Sequence, residues 1–246
     1  MHTRMDIVMY DISETDFLRI TELIKFETAR IENLLSRFIP GSPVSLINAS
    51  KKSQVHIADT EVFNLLQRCR SFYEMTSGYF NIACYNAENT MYECNQDNHT
   101  IKLPFLPFSI DLGGIGKGYA LDRIRCILDS HNITHALISF GESSILAKGH
   151  HPYGDSWKIG VTDPSGKNVL HEWKMKDCFL STSRSQNGHI IDPKSGNRIE
   201  SSTIVSVMGP NAAEAEVLST AVLASANTID TRQNFPDAEV VFLKKK

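Results

Sequence analysis

Helical and strand periodicities are gathered into clusters along this chain and do not alternate, and that grouping constrains the fold more than any other feature. Ser13, with Asp16 three places on, makes a capping pair that opens a predicted helix running to about Phe38. Ile31, Leu34, Leu35 and Phe38 share one of its faces, and Pro40-Gly41-Ser42-Pro43 stops it. The spacing predicts a second helix from about Asp59 to Met75, with Gly78 as its stop, and a third ending near His131-Asn132. Short strands are predicted at 5–9, within Phe105–Leu112, and at Ala136–Phe140, Trp157–Val161, Cys178–Ser181, Thr203–Met208 and Ala238–Leu243. One more helix, Ala212 to about Ala226, lies among them, and the polar stretch from Ala87 to Thr100 reads as a loop. Strict alternation would predict a parallel sheet; the clusters predict an α+β fold of mixed or antiparallel sheets with packed helices. No linker or repeat divides residues 1–246, so two interlocked halves are expected to form one domain.

Composition narrows the function classes. The 25 Lys+Arg and 28 Asp+Glu leave a net charge of -3, which argues against a dedicated nucleic-acid binder. Hydrophobic residues at 41% and charged residues at 22% are those of an ordinary globular protein. No stretch approaches the roughly 20 apolar residues of a membrane span, and Ile7-Val8-Met9 is too short for a signal-peptide core. Cys69, Cys126 and Cys178 fall within apolar patterns and are expected to be small buried hydrophobes. A reducing, cytoplasmic setting fits the sequence as it stands; export or a lipid anchor would require that a leader had been removed.

The densest chemical signal runs from Ile110 to Asp122. A strand delivering Asp111, a run of glycines and Lys117 at a helix start are the parts of an anion site, where free N–H groups and a positive helix end meet a phosphate. Asp111 and Gly118 occupy positions that exclude a Walker loop, and Tyr119 excludes the dinucleotide fingerprint. Read alone, a glycine turn before a helix more often serves simple tight packing. His189, before an apolar pair and the Asp192-Pro193 turn, stands where a general base or a plain surface histidine would. Glu216 and Thr220, four apart on one helix face, offer oxygen ligands to a hard cation such as Mg²⁺, or form a polar strip.

In order along the chain, these and other segments carry a family likeness. Met1-His2-Thr3 is similar to an opening Met-Gly-Thr, Leu34-Leu35-Ser36-Arg37-Phe38 to LLSRF, and Ser42 to Asn48 to an SxxSxxN turn. Thr76 to Asn81 is similar to TSGGAFD, Asp111 to Asp122 to DLGGIAKGYAVD, and His189 to Gly196 to HIIDPRTG, while Glu216 to Thr220 stands at Asp-x-x-x-Thr. The chain therefore resembles the ApbE-type FAD:protein FMN transferases over nearly its whole length. The resemblance implies a magnesium-dependent reaction that splits FAD at its pyrophosphate, esterifies FMN to a threonine of an acceptor flavoprotein and releases AMP. It implies FAD contacts from Met1, Phe38, Tyr79, Phe80, Asn81, Asp111, Lys117 and Ile190. It also implies Mg²⁺ held by Gly114, Glu216 and Thr220, with His189 as the base that activates the acceptor hydroxyl.

The chain departs from the family pattern at several points. Glu216 replaces Asp, Asn81 replaces Asp, and Phe140-Gly141-Glu142-Ser143-Ser144 replaces a double-glycine turn. The segments Phe80–Ile110 and Ser183–Gly188 are short. These departures keep two other readings open: a non-catalytic FAD-binding relative, and a pyrophosphatase that gives FMN and AMP with water in place of threonine.

Overall fold

A computed structural model describes residues 3–83, 90–185 and 190–243. In chain order the elements are β1 (Met5–Met9), α1 (Glu14–Leu35), α2 (Pro43–Asn48), β2 (Gln54–His56), α3 (Thr60–Met75), β3 (Glu93–Asn95), β4 (Thr100–Lys102) and α4 (Gly116–Ser130). They continue as β5 (Ala136–Phe140), β6 (Ser144–Lys148), β7 (Trp157–Thr162), β8 (Val169–Met175), β9 (Cys178–Ser185), β10 (Ser201–Gly209), α5 (Ala212–Ala224) and β11 (Glu239–Leu243). The main sheet has the order β1-β5-β6-β9-β10-β11, beside a small β2-β4-β3 sheet and a β7-β8 hairpin. Every named strand pairing is antiparallel, so the fold is α+β with antiparallel sheets and packed helices. No described helix is long and apolar enough to cross a membrane.

The main sheet has an apolar core on each face. On one face the helices supply Ile20, Leu66, Leu121 and Leu218 to a cluster that includes Ile138, Leu146 and Val205 from the sheet. On the other face Trp157, Val161, Trp173 and Met175 of the hairpin cover Ile145, Ala147, Leu180 and Ile204. Trp173 Nε1 donates to Ser206 Oγ at 2.9 Å, which satisfies the one polar atom that the indole carries into the core.

Helix α5 is buried almost all round, as a helix made of Ala, Val and Leu must be. Helix α4 crosses its start at backbone distance. A Cβ on Gly118 would lie 2.4 Å from the Ala212 carbonyl oxygen, so only glycine fits. One turn on, the Asp122 carboxylate accepts from the N–H groups of Ala212 (2.8 Å) and Ala213 (3.2 Å), capping α5 from outside its own sequence. Burial pushes the Asp122 carboxyl above its ordinary value, against the pull of those two donors.

The predicted cap forms, Ser13 Oγ accepting from Asp16 N at 3.1 Å, and Asp59, the expected start of the second helix, turns out to cap it, its Oδ1 accepting from Val62 N at 3.0 Å. Other expectations are corrected. No strand forms within 105–112, where Pro104 and Pro107 lack the donors a ladder needs. Instead the Asn48 side chain brackets Ile110, accepting from its N–H at 2.8 Å and donating to its carbonyl at 3.0 Å. The stretch expected as a loop holds β3 and the start of β4, joined through a turn with His99 at φ 50; its residues 87–89 lie outside the described ones. Cys69 is buried, but Cys178 is half-buried and Cys126 exposed, because the apolar face of α4 passes Cys126 by.

Candidate active site

A cleft of about 390 Å³ lies where the α3–β4 region, the start of α4, strand β9 and helix α5 converge. Three turns deliver its residues. After α3, Thr76 Oγ1 accepts from Phe80 N at 2.9 Å while donating to Phe72 O at 2.7 Å, and Gly78 reverses the chain at φ 81. Tyr79, Phe80 and Asn81 thereby reach the cleft wall. Phe80 is buried against Phe72 and backs Gly114, while Tyr79 is half-buried with Lys194 Nζ 4.1 Å from its ring centroid.

The second turn is Asp111–Gly114. Asp111 Oδ1 accepts from Gly113 N at 2.8 Å, and Arg37 Nε stands 3.2 Å from Asp111 Oδ2. The N–H groups of Ile115 and Gly116 both go to Leu112 O, and that of Gly118 to Glu216. The turn thus spends much of its donor capacity on itself, so the positive charge facing the cleft resides mainly on Lys117 rather than on a nest of free amides.

The third contribution is α5. Glu216, 4% exposed, is ion-paired through Oε1 with Lys117 Nζ and accepts the Gly118 N–H through Oε2. Its two oxygens therefore hold the first turn of α4 from the side. Ser219, fully buried, ties this helix to β9 through Ser181 Oγ at 3.0 Å and Ser183 Oγ at 2.9 Å, and Ser183 Oγ stands 3.5 Å from Thr220 Oγ1. Arg184, next on β9, donates from Nη2 to Thr162 O at 2.9 Å.

The structure brings Tyr79, Phe80, Asn81, Asp111, Gly114, Lys117, Ile190, Glu216 and Thr220 to one cleft. Phe38 does not line it: the ring is 76% exposed, with the Arg37 guanidinium 4.6 Å from its centroid. Met1 and His189 lie outside the described residues, although Ile190, next to His189, lines the cleft. Sequence reasoning missed Arg37, Ser181, Ser183 and Arg184. Of these the serines had a signal, since Ser181, Ser183 and Ser185 recur at the period of a strand face.

A carbonyl from Gly114, the Glu216 carboxylate and the Thr220 hydroxyl are hard oxygen donors of the kind Mg²⁺ takes, and all three line the cleft. The set fits that ion on one condition: Glu216 must exchange Lys117 for the metal.

Comparison with known proteins gives one consistent answer. A family model described as the ApbE family matches residues 1–104 and 89–235. The FAD:protein FMN transferase of Treponema pallidum is 26% identical over 267 aligned positions, covering 86% of this chain and 73% of that protein. The FAD:protein FMN transferase of Chlamydia muridarum is 24% identical, with 78% and 71% covered. Among solved structures, the ApbE protein of Thermotoga maritima matches with a TM-score of 0.80 at 26% identity, over 96% of this chain and 88% of that one. The flavin transferase ApbE of Vibrio cholerae matches with a TM-score of 0.82 over 100% and 91%; at 18% identity that likeness is one of fold.

Proposed function

The chain belongs to the ApbE family, and from that premise we propose that it is a FAD:protein FMN transferase: it moves FMN from FAD to a threonine of an acceptor protein, releases AMP and requires Mg²⁺. The observation that carries this reading is the convergence of Lys117, Asp111, Gly114, Glu216 and Thr220 on one cleft.

In the proposed reaction the threonine oxygen attacks the FMN-side phosphorus of FAD. The bond from that phosphorus to the bridging oxygen breaks, and AMP leaves with the electron pair on its phosphate. The hydroxyl proton passes to His189. Lys117 and Arg184 are cationic side chains on the cleft wall and can hold phosphate oxygens, positioning the pyrophosphate for in-line displacement. Bound Mg²⁺ would neutralise charge developing on those oxygens. Asp111, braced by Arg37 and Gly113, is a fixed acceptor for a hydroxyl or amide of the dinucleotide.

Incubation with FAD, Mg²⁺ and a family-type threonine acceptor peptide tests the reading by mass spectrometry and AMP release. An FMN-sized mass gain on the peptide, lost with EDTA and with His189→Ala, is the expected result. AMP without a modified peptide would make the chain a pyrophosphatase. The ion pair between Glu216 and Lys117 favours one alternative, a FAD-binding relative whose cation site is satisfied internally; tight FAD binding with no AMP under any metal condition would establish it.

A further inference from the structure

We propose that the acceptor protein docks as an added β-strand along the free edge of β7, in a groove that adjoins the cleft; the proposal rests on the transferase reading. The groove, about 330 Å³, lies between β7, the β5–β6 turn and the main sheet. It shares Ser143, Thr182 and Arg184 with the cleft, so the two spaces adjoin at those residues. That adjacency matters because FAD must fill the cleft before transfer, and the acceptor hydroxyl then needs its own approach to the phosphorus.

The lining of the groove shows which part of β7 faces it. Ile159, Gly160, Val161 and Thr162 all contribute, four consecutive residues. A strand that presented a face would contribute every second residue; consecutive contributions mark an edge. Among the described residues β7 pairs only with β8, so that edge offers main-chain donors and acceptors to an extended partner. Arg184 takes the Thr162 carbonyl at 2.9 Å and so closes the edge at its cleft end. A partner strand must leave β7 there, beside Thr182 and Ser143, which delivers its next residue to the cleft. The half-buried Ile159 gives the groove an apolar wall for a side chain of that partner. The exposed Glu142, on the β5–β6 turn at φ 60 and next to Ser143, also lines the groove.

The test uses the full chain with FAD, Mg²⁺ and the threonine acceptor peptide. Thr162 lines the groove and not the cleft, so Thr162→Trp should fill the groove. The expected result is a KM for peptide raised at least about tenfold, the loss of roughly 1.4 kcal/mol of binding, with kcat at saturating peptide and FAD affinity unchanged. A photo-crosslinking amino acid at Glu142 should capture the peptide within a few residues of its threonine, and this measurement decides alone if the tryptophan variant does not fold. An unchanged peptide KM, or crosslinks absent from position 142 under conditions of turnover, would overturn the groove while leaving the transferase intact. Absence of FMN transfer by the unmodified chain would instead overturn the transferase reading, and the groove with it.

Discussion

Lys117→Met isolates the contact on which the cleft depends. The substitution keeps much of the aliphatic stem and removes only the ammonium, so its effect reports the ion pair more than lost packing. The Glu216 side chain is 5% exposed and that of Lys117 25%. Removing one partner of a fully buried pair costs about 3–5 kcal/mol, because the remaining charge stays buried without compensation. Here Lys117 is partly solvated and the Gly118 N–H still faces Glu216, which lowers the expected cost to about 2–3 kcal/mol. In a chain of this size that corresponds to a midpoint about 4–12 °C lower in metal-free thermal unfolding followed by circular dichroism. Mg²⁺ should then reverse the loss. A ligand at one hundred times its Kd adds about 2.7 kcal/mol, and the variant should gain more from Mg²⁺ than the unmodified chain, in which the metal must first displace Lys117. A metal-free midpoint within about 1 °C of the parent would refute the ion pair as a stabilising contact. Equal Mg²⁺ gains in both proteins would refute competition between lysine and metal for Glu216.

Glu216→Asp, which withdraws the carboxylate by one methylene, should loosen its hold on Lys117 and tighten Mg²⁺ binding in isothermal calorimetry without nucleotide; unchanged metal affinity would remove Glu216 from the ligand set. Gly118→Ala should cost about 2–4 kcal/mol in urea unfolding, since the added methyl would meet the backbone of Ala212 and α4 must shift away from α5. Glu27 and Glu61 are held below the ordinary glutamate value of 4.5 first of all by hydrogen bonds from Arg30. Their stabilisation is therefore present above that value and lost as pH falls through the depressed ones, so urea midpoints should drop below about pH 4.5, and less steeply in Arg30→Met.

Much of the helical framework was legible because its signals are local. The cap at Ser13, the start of α3 near Asp59 and the periodic apolar face of α3 each depend on residues within a turn or two of one another. The missed strands lacked such signals. In β6, Ser144 to Ala147 are buried on both sheet faces and show no alternation to read, while β8 alternates only at Trp173 and Met175. The site divides in the same way. The glycine turn and the Glu216–Thr220 spacing point to charged chemistry, yet the union of Lys117 with Glu216 joins residues 99 positions apart and has no local trace. The capacity of Asn48 to stand in for a strand partner of Ile110 is equally invisible until the chain is folded.

The backbone contact at Gly118 also fixes when the site can come into being. Lys117 belongs to the first half of the polypeptide and Glu216 to its last stretch, and the two meet only after α5 settles against α4 with Asp122 seated on its first turn. A ribosome-bound chain lacking its final segment would hold the lysine without its carboxylate, and the cleft without the wall that Glu216 and Thr220 supply.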